Sequence, residues 1–323
     1  MGSHTSKTMI YSCRSSCGGF SDRLRGIVSV FILARLLNRR FMIDMNYPCP
    51  VTQALLPSLV DWIYVPHKQS TNHSRLTIKE VPAWPIKTEI SMAHIITYHD
   101  FLTIWSTYEE IWISTNGDFV ASAFRNPFAS NASRILLGRF PLVEATMETL
   151  FPLVFDFLFK PTASVQNRVE QILIESHRRH LICLHIRMGK NPSNPSDRAF
   201  PVRVHTAEDM LKFVDTYSAN NNSKPLVFVT SDSSEAVGTV LRHFPKSSMT
   251  VVGPILHVDK ANGQASVISN GFMKVITDFY LLGECQTSIL SRSGFSVLAN
   301  RRRKIPNENL YFYDENSRTI RKG

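Results

Sequence analysis

Leu181-Ile182-Cys183-Leu184-His185-Ile186-Arg187-Met188-Gly189-Lys190-Asn191 is the stretch whose reading decides how this chain folds. A short apolar run that ends abruptly in glycine, asparagine, proline and serine spells a strand buried in a sheet. Its carboxyl end delivers the Arg187 guanidinium into a loop, which is where open α/β sheets place phosphate-bearing ligands. Three other junctions have the same character. They are Cys17-Gly18-Gly19-Phe20-Ser21-Asp22-Arg23, Val227-Phe228-Val229-Thr230-Ser231-Asp232 and Ser291-Arg292-Ser293-Gly294-Phe295. Together the four turns predict one nucleotide-sugar site assembled from both halves of the chain.

Outward from these turns, Met9 to Cys13 reads as a strand and Phe41 to Asp44 as a second one. Between them Leu24, Ile27, Val28, Phe31, Ala34 and Leu37 fall on one helical face, with Ser21 or Asp22 placed to cap it. The second half alternates strand-like runs at 181–187, 225–230, 249–252 and 286–290 with helical runs at 206–219, 233–244 and 267–283. A further helix at 166–177 leads into the first of these strands. Such alternation predicts a parallel, doubly wound sheet. Residues 45–160 are rich in aromatics and prolines and give no strand order. The expected division is an N-terminal lobe over 1–160, on the acceptor side, and a C-terminal nucleotide-sugar-binding lobe over 161–323.

At 323 residues the chain is long enough for two such lobes, and its formal net charge of +10 favours anionic partners: a nucleotide diphosphate, nucleic acid or an acidic membrane face. No apolar stretch is long enough to span a bilayer, and the first residues lack a signal-peptide core. Whether Met1-Gly2-Ser3-His4 is a cloning remnant stays open, whereas Glu308-Asn309-Leu310-Tyr311-Phe312, which continues into Tyr313-Asp314, is read as native. The five cysteines leave at least one thiol free. Cys183 and Cys285 are expected as buried core thiols, with one disulfide conceivable among Cys13, Cys17 and Cys49. Sequons begin at Asn72, Asn131 and Asn221. No H-E-x-x-H, paired C-x-x-C or Asp-x-Asp occurs, so no metal centre is expected. His177-Arg178-Arg179-His180 is expected to close a helix C-terminus, and Arg301-Arg302-Arg303-Lys304 to be a solvated helix end.

Each turn also has a plain structural reading. The glycine turn presents a helix N-terminus and a close backbone to an anion, or is a tight strand-to-helix connection. Asp22 is a base or an N-terminal helix cap. Arg187 stabilises the charge that grows on a departing diphosphate, by roughly 3 kcal/mol if it acts like other single electrostatic donors, or closes a surface ion pair. Ser231-Asp232 reaches a ligand or caps the next helix, and Phe295 is a core anchor by default. Asp278, polar within an apolar helical stretch, is solvated or reaches a base or ribose.

With these residues in hand, the chain resembles the GT-B-type fucosyltransferase superfamily, which contains the protein O-fucosyltransferases, the α-1,6-fucosyltransferases and the rhizobial nodulation fucosyltransferases. Gly18 to Arg23, running on through Leu36-Leu37-Asn38-Arg39, looks like the family's opening glycine loop and helix. His185-Ile186-Arg187 is similar to its histidine-x-arginine motif, and Asp278 to Phe295 to its last nucleotide-contacting segment. The resemblance implies two facing Rossmann-like lobes, each with a mainly parallel sheet, GDP-fucose as donor, no metal, inversion at the sugar carbon, and a glycan or protein hydroxyl as acceptor.

It also implies that Arg187 contacts the β-phosphate and that His185, Ser231, Asp232 and Asp278 lie near guanosine. Ser293, Gly294 and Phe295 would line the phosphate and ribose, and Gly18, Gly19, Phe20 and Arg23 would contact sugar and phosphate. Asp22 is the candidate base. Many members carry a second arginine and an acidic residue just after the first arginine. Here Met188, Gly189 and Lys190 follow, which assigns any help for Arg187 to Lys190 or Arg203. The competing expectations are a nucleotide- or glycan-binding protein of the same fold that has lost catalysis, and a polyanion binder. The expected compartment is the secretory lumen if a signal or anchor has been removed, and otherwise the cytoplasm.

Overall fold

The computed structural model describes residues 7–66, 74–80, 91–138, 144–176, 179–200, 203, 205–220 and 224–323. Asn72, Asn221, His177, Arg178 and Met1 to His4 fall outside them. The chain divides into two compact units, one of Met1–Val51 with Leu55–Lys160 and the other of Thr52–Ala54 with Pro161–Gly323.

The first unit begins with β1 (Thr8–Cys13), α1 (Phe20–Leu36) and β2 (Arg40–Met45), and a short β3 (Leu55–Pro57) follows. It continues with β4 (Arg75–Glu80), α2 (Met92–Tyr98), α3 (Phe101–Ile104), β5 (Glu110–Thr115), α4 (Val120–Arg125), α5 (Ser130–Leu137) and α6 (Met147–Leu158). Four of the strands form a parallel sheet in the order β2-β1-β5-β4. This order reverses direction beside β1, so the loop after β1 lies at a switch point, where such sheets bind ligands. Helix α1 runs to Leu36, and Asn38 beyond it takes a left-handed φ of 52°, which asparagine tolerates better than most residues. Gly26 lets this helix press onto the sheet: a Cβ there would stand 2.0 Å from the Thr115 carbonyl oxygen and 2.9 Å from the Tyr11 ring. Phe31 meets Phe41 edge to face at 5.4 Å, and the buried Trp62 indole donates to the Leu158 carbonyl at 2.6 Å.

The second unit follows β6 (Phe159–Pro161) and contains α7 (Ala163–Ser176), β7 (Leu181–Ile186), β8 (Gly189–Asn191), β9 (Asn194–Ala199), α8 (Thr206–Asn220) and β10 (Leu226–Ser231). It ends with α9 (Ser234–His243), β11 (Ser248–Met249), α10 (Ala265–Leu282), β12 (Thr287–Ser291), α11 (Gly294–Arg301), β13 (Leu310–Asp314) and β14 (Thr319–Lys322). The sheet order is β11-β10-β7-β12-β13-β14, parallel throughout except for β14. Strands β7, β10 and β12 are buried along their whole length, as a parallel sheet covered on both faces requires.

Alternation decides which side chains reach which face. Ile182, Leu184, Ile186, Val227 and Val229 pack with Met210, Leu211 and Val214 of α8 and with Val240 of α9. His185 and its Cα partner Thr230 therefore point to the other face.

Both units are α/β with mainly parallel sheets, in line with the fold class read from the sequence. The strand expected at 249–252 is only the two-residue β11, and the pair β13 and β14 is additional to the expected strands. The expectation for Cys183 and Cys285 needs correction, while the disulfide among Cys13, Cys17 and Cys49 and the odd free thiol are found. Cys183 pairs with Cys285 and Cys13 with Cys17, leaving Cys49 as a buried free thiol. Arg303 is also not a solvated helix end. It is buried and donates to the Cys285, Gln286 and Glu308 carbonyls at 2.7, 2.7 and 2.8 Å, tying together the starts of β12 and β13.

Candidate functional site

In the second unit the sheet order turns around at β7, with β10 and β11 laid down on one side and β12 on the other. The loops leaving β7 and β12 therefore diverge; among the sequence-nominated residues, His185 and Arg187 sit at the carboxyl end of β7, and Ser293 and Phe295 lie just beyond β12, in the turn and the first turn of α11. The Arg187 N–H donates to the Ser291 hydroxyl at 3.0 Å, joining the two loops. One nitrogen of the Arg187 guanidinium donates to Asp232 and the other to Asp197, and the side chain remains 21% exposed.

Asp232 is fully engaged here, because its two oxygens also accept the Met188 and Gly189 N–H groups at 2.7 and 2.9 Å. The Ser231 hydroxyl donates to the Ile186 carbonyl at 2.6 Å and accepts the Ser233 N–H at 3.1 Å. Ser231 and Asp232, which the resemblance placed near guanosine, both brace the loops that carry Arg187.

Asp197, which the sequence reading missed, arrives on the β8–β9 hairpin. Its carboxylate accepts from the Asn194 side chain at 3.0 Å and the Arg198 N–H at 2.7 Å, while Lys260 and His257 approach it at 3.7 and 3.9 Å. Burial pushes this carboxyl up, but the Arg198 N–H and the Arg187 charge outweigh it and hold it below the usual range. Arg203 is buried; it pairs with Glu315 and donates to the Arg187 carbonyl at 3.1 Å.

Beneath Arg187, on the face shared with α10 and α11, lies a buried polar group. Asp278 of α10 is 4% exposed; one carboxylate oxygen accepts from Lys274 at 2.6 Å and from Thr230 at 2.8 Å. Its other oxygen has no hydrogen-bond partner, and neither has the His185 Nδ1. Burial raises the Asp278 carboxyl despite Lys274. Burial, reinforced by Arg187 and Arg203, drives the His185 imidazole down to about 3, so the ring is neutral at ordinary pH. Phe295 is half-buried, with its ring 5.6 Å from the His185 ring and 5.6 Å from Phe279. Helix α11 starts after Ser293 without a side-chain cap, leaving its first N–H groups to whatever docks there.

In the first unit the glycine turn follows β1. Gly18 has a φ of +88°, and a Cβ there would lie 2.9 Å from the Asp22 Cβ and 3.2 Å from the Asn116 side-chain nitrogen, so only glycine fits. Asp22 is the third residue inside α1. One of its oxygens accepts the Gly19 N–H at 3.0 Å, and the other faces Arg25 at 3.2 Å. Gly19 is therefore the N-cap, and Asp22 caps its N–H from the third helical position, a structural role close to the plainer of its two readings. Phe20 is buried, and Arg23 is fully buried, donating to the Gly18 carbonyl at 2.9 Å and to the Tyr47 carbonyl, so it shapes the turn from beneath.

Among the described residues no group of three or more His, Cys, Asp or Glu side chains is placed to hold a metal ion. No helix there is long and apolar enough to cross a membrane.

Neither a family model nor a curated protein sequence matches this chain. Solved structures do. A mutant of Arabidopsis thaliana FUT1 in complex with GDP superposes with a TM-score of 0.64 at 14% identity, covering 97% of this chain and 71% of that one. NodZ α-1,6-fucosyltransferase co-crystallised with GDP gives 0.53 at 16% identity over 98% and 99% of the two chains. POFUT1 in complex with GDP-fucose gives 0.50 at 10% identity over 96% and 98%. The chain therefore shares the fold of these solved structures, in line with the fold that its resemblance to the GT-B-type fucosyltransferases had implied.

Proposed function

We propose that this chain is an inverting glycosyltransferase that moves fucose from GDP-fucose to a hydroxyl of a glycan or glycoprotein. The observation that carries the reading is the convergence, at the β7/β12 switch point, of a held arginine, an uncapped helix N-terminus and two buried polar atoms without protein partners. Unpaired buried atoms of this kind cost about 1–3 kcal/mol each, and a ligand that pairs with them accounts for their presence.

In the proposed reaction the acceptor oxygen attacks the anomeric carbon while the bond from that carbon to the β-phosphate oxygen breaks. The electron pair leaves with GDP, and the hydroxyl proton passes to a base. Arg187 donates to the β-phosphate as its charge grows, and the N–H groups at Ser293, Gly294 and Phe295 support the diphosphate. Neutral His185 and Asp278 meet the guanine edge. Asp22 is the proposed base, since its carboxylate is 39% exposed and its pairing with Arg25 is a surface ion pair that contributes little. Leaving-group charge thus falls to side chains and backbone, and the reaction asks for no metal. With the net charge of +10, this makes a donor site suited to a dianion.

The test is incubation with GDP-fucose and a pool of glycan and glycoprotein acceptors, in the presence and absence of a chelator. Chelator-insensitive transfer giving α-fucosides is the expected result. Binding of GDP without hydrolysis or transfer for any acceptor would instead assign the chain to the binding proteins of this fold.

A further inference from the structure

Lys274 has no place in the proposed chemistry, yet it is buried to 6% exposure inside helix α10, where an ammonium is expensive to desolvate. Its Nζ lies 2.6 Å from Asp278 one turn further on, and the same Asp278 oxygen takes the Thr230 hydroxyl at 2.8 Å. Both donors are thus concentrated on one oxygen, and the second is left without a protein partner. A buried ion pair is commonly no more stabilising than an apolar pair of the same size, so its retention calls for a functional reason.

We propose that Lys274 is a positioning residue that sets base specificity: its pairing with one oxygen of Asp278 fixes the other as an anionic acceptor, which selects a nucleobase edge presenting two adjacent N–H donors. This rests on the reading of the unit as a guanine-nucleotide site. Guanine offers N1–H and N2–H side by side, hypoxanthine only N1–H, and adenine an acceptor at N1.

The groups facing Asp278 are Lys274 from its own helix and Thr230 from β10, and the neutral His185 stands beside Thr230 on β7. Burial raises the Asp278 carboxyl, and the charge of Lys274 is the largest influence opposing that rise, followed by the hydrogen bonds. Without Lys274 the carboxyl takes up a proton at higher pH and ceases to be a pure acceptor. Affinity for GDP then falls off at a higher pH than in the wild type and returns above that point.

The experiment is calorimetric binding of GDP, IDP and ADP from pH 6 to 9 to the wild type, Lys274→Met and Lys274→Arg. Loss of a charged hydrogen-bond acceptor corresponds to roughly 10- to 150-fold in affinity. Lys274→Met is expected to lose GDP affinity in that range at the acid end of this span, to lose its preference for GDP over IDP there, and to regain both as pH rises. Lys274→Arg is expected to keep them. Equal loss for all three nucleotides at every pH, or no loss, would overturn the proposal. Should Lys274→Met not fold, Thr230→Val removes only the second donor and is expected to move the acid limb of GDP binding to higher pH; an unmoved limb overturns the proposal equally. A wild type that binds no GDP refutes the functional reading itself, which separates the two failures.

Discussion

Arg187→Ala removes a guanidinium held by two carboxylates, and its consequences divide into stability and catalysis. Asp197 and Asp232 lose an ion partner, but Asp232 keeps the Met188 and Gly189 N–H groups and Asp197 keeps Asn194 and the Arg198 N–H. With those donors retained, the stability cost is about 2 kcal/mol, toward the low end for hydrogen bonds to charged groups. For a unit of this size that lowers the melting midpoint by roughly 4–8 °C. The catalytic cost expected from the proposed reaction is larger, because there the same group donates to the leaving diphosphate: roughly 100- to 1,000-fold in kcat, or about 2.7–4 kcal/mol. A lysine side chain would keep a charge without spanning both carboxylates, so Arg187→Lys is expected to fall between wild type and Arg187→Ala. The assay is initial rates of GDP-fucose turnover well below the variant's melting midpoint, with folding checked by circular dichroism. A folded Arg187→Ala within an order of magnitude of wild-type turnover would refute the assignment.

Three further outcomes follow from particular contacts. His185 titrates near 3 when folded against about 6.5 when unfolded, so the unfolded chain binds more protons between these values and stability falls as pH drops from 6.5 toward 3. Denaturant titrations at pH 5 and 7 are expected to show a smaller difference in His185→Asn than in wild type, and an unchanged difference would contradict the burial argument. Gly26→Ala puts a methyl 2.0 Å from the Thr115 carbonyl oxygen, so α1 must move off the sheet at a cost of about 3 kcal/mol; a melting midpoint equal to wild type would contradict that packing. Asp22→Asn keeps a cap acceptor for the Gly19 N–H but cannot take a proton, so turnover is expected to collapse with melting changed by less than roughly 1 kcal/mol; retained turnover leaves Asp22 as a cap alone.

The second unit was the more legible because its central strands β7, β10 and β12 are buried on both faces and helices of ordinary length lie between them. The apolar run before His185 and the small-residue turns around it were enough to place Arg187 at a strand end. Strand β4 could not be read that way: its residues alternate between exposed and half-buried, and the short helices α2 and α3 leave no long period to count. Asp197 was missed because it sits in an asparagine, proline and serine stretch that resembles an open loop, although its hairpin folds back onto Arg187. Lys274 did carry a signal, an opposite charge four residues before Asp278 within an otherwise apolar helical face. Arg303 shows the limit of composition, since an arginine in a basic run at a helix end reads as surface charge until its guanidinium is seen closing on backbone carbonyls.

The most direct test of the central claim is the thermal stabilisation of the chain by GDP against UDP, ADP and CMP, with Arg187→Ala measured alongside. A nucleotide at 100 times its dissociation constant adds about 2.7 kcal/mol, enough to raise the melting midpoint by several degrees. A guanine-nucleotide donor site predicts a shift with GDP alone, weakened or lost in Arg187→Ala. An equal shift with every nucleotide, a preference for another base, or no shift at all would contradict it.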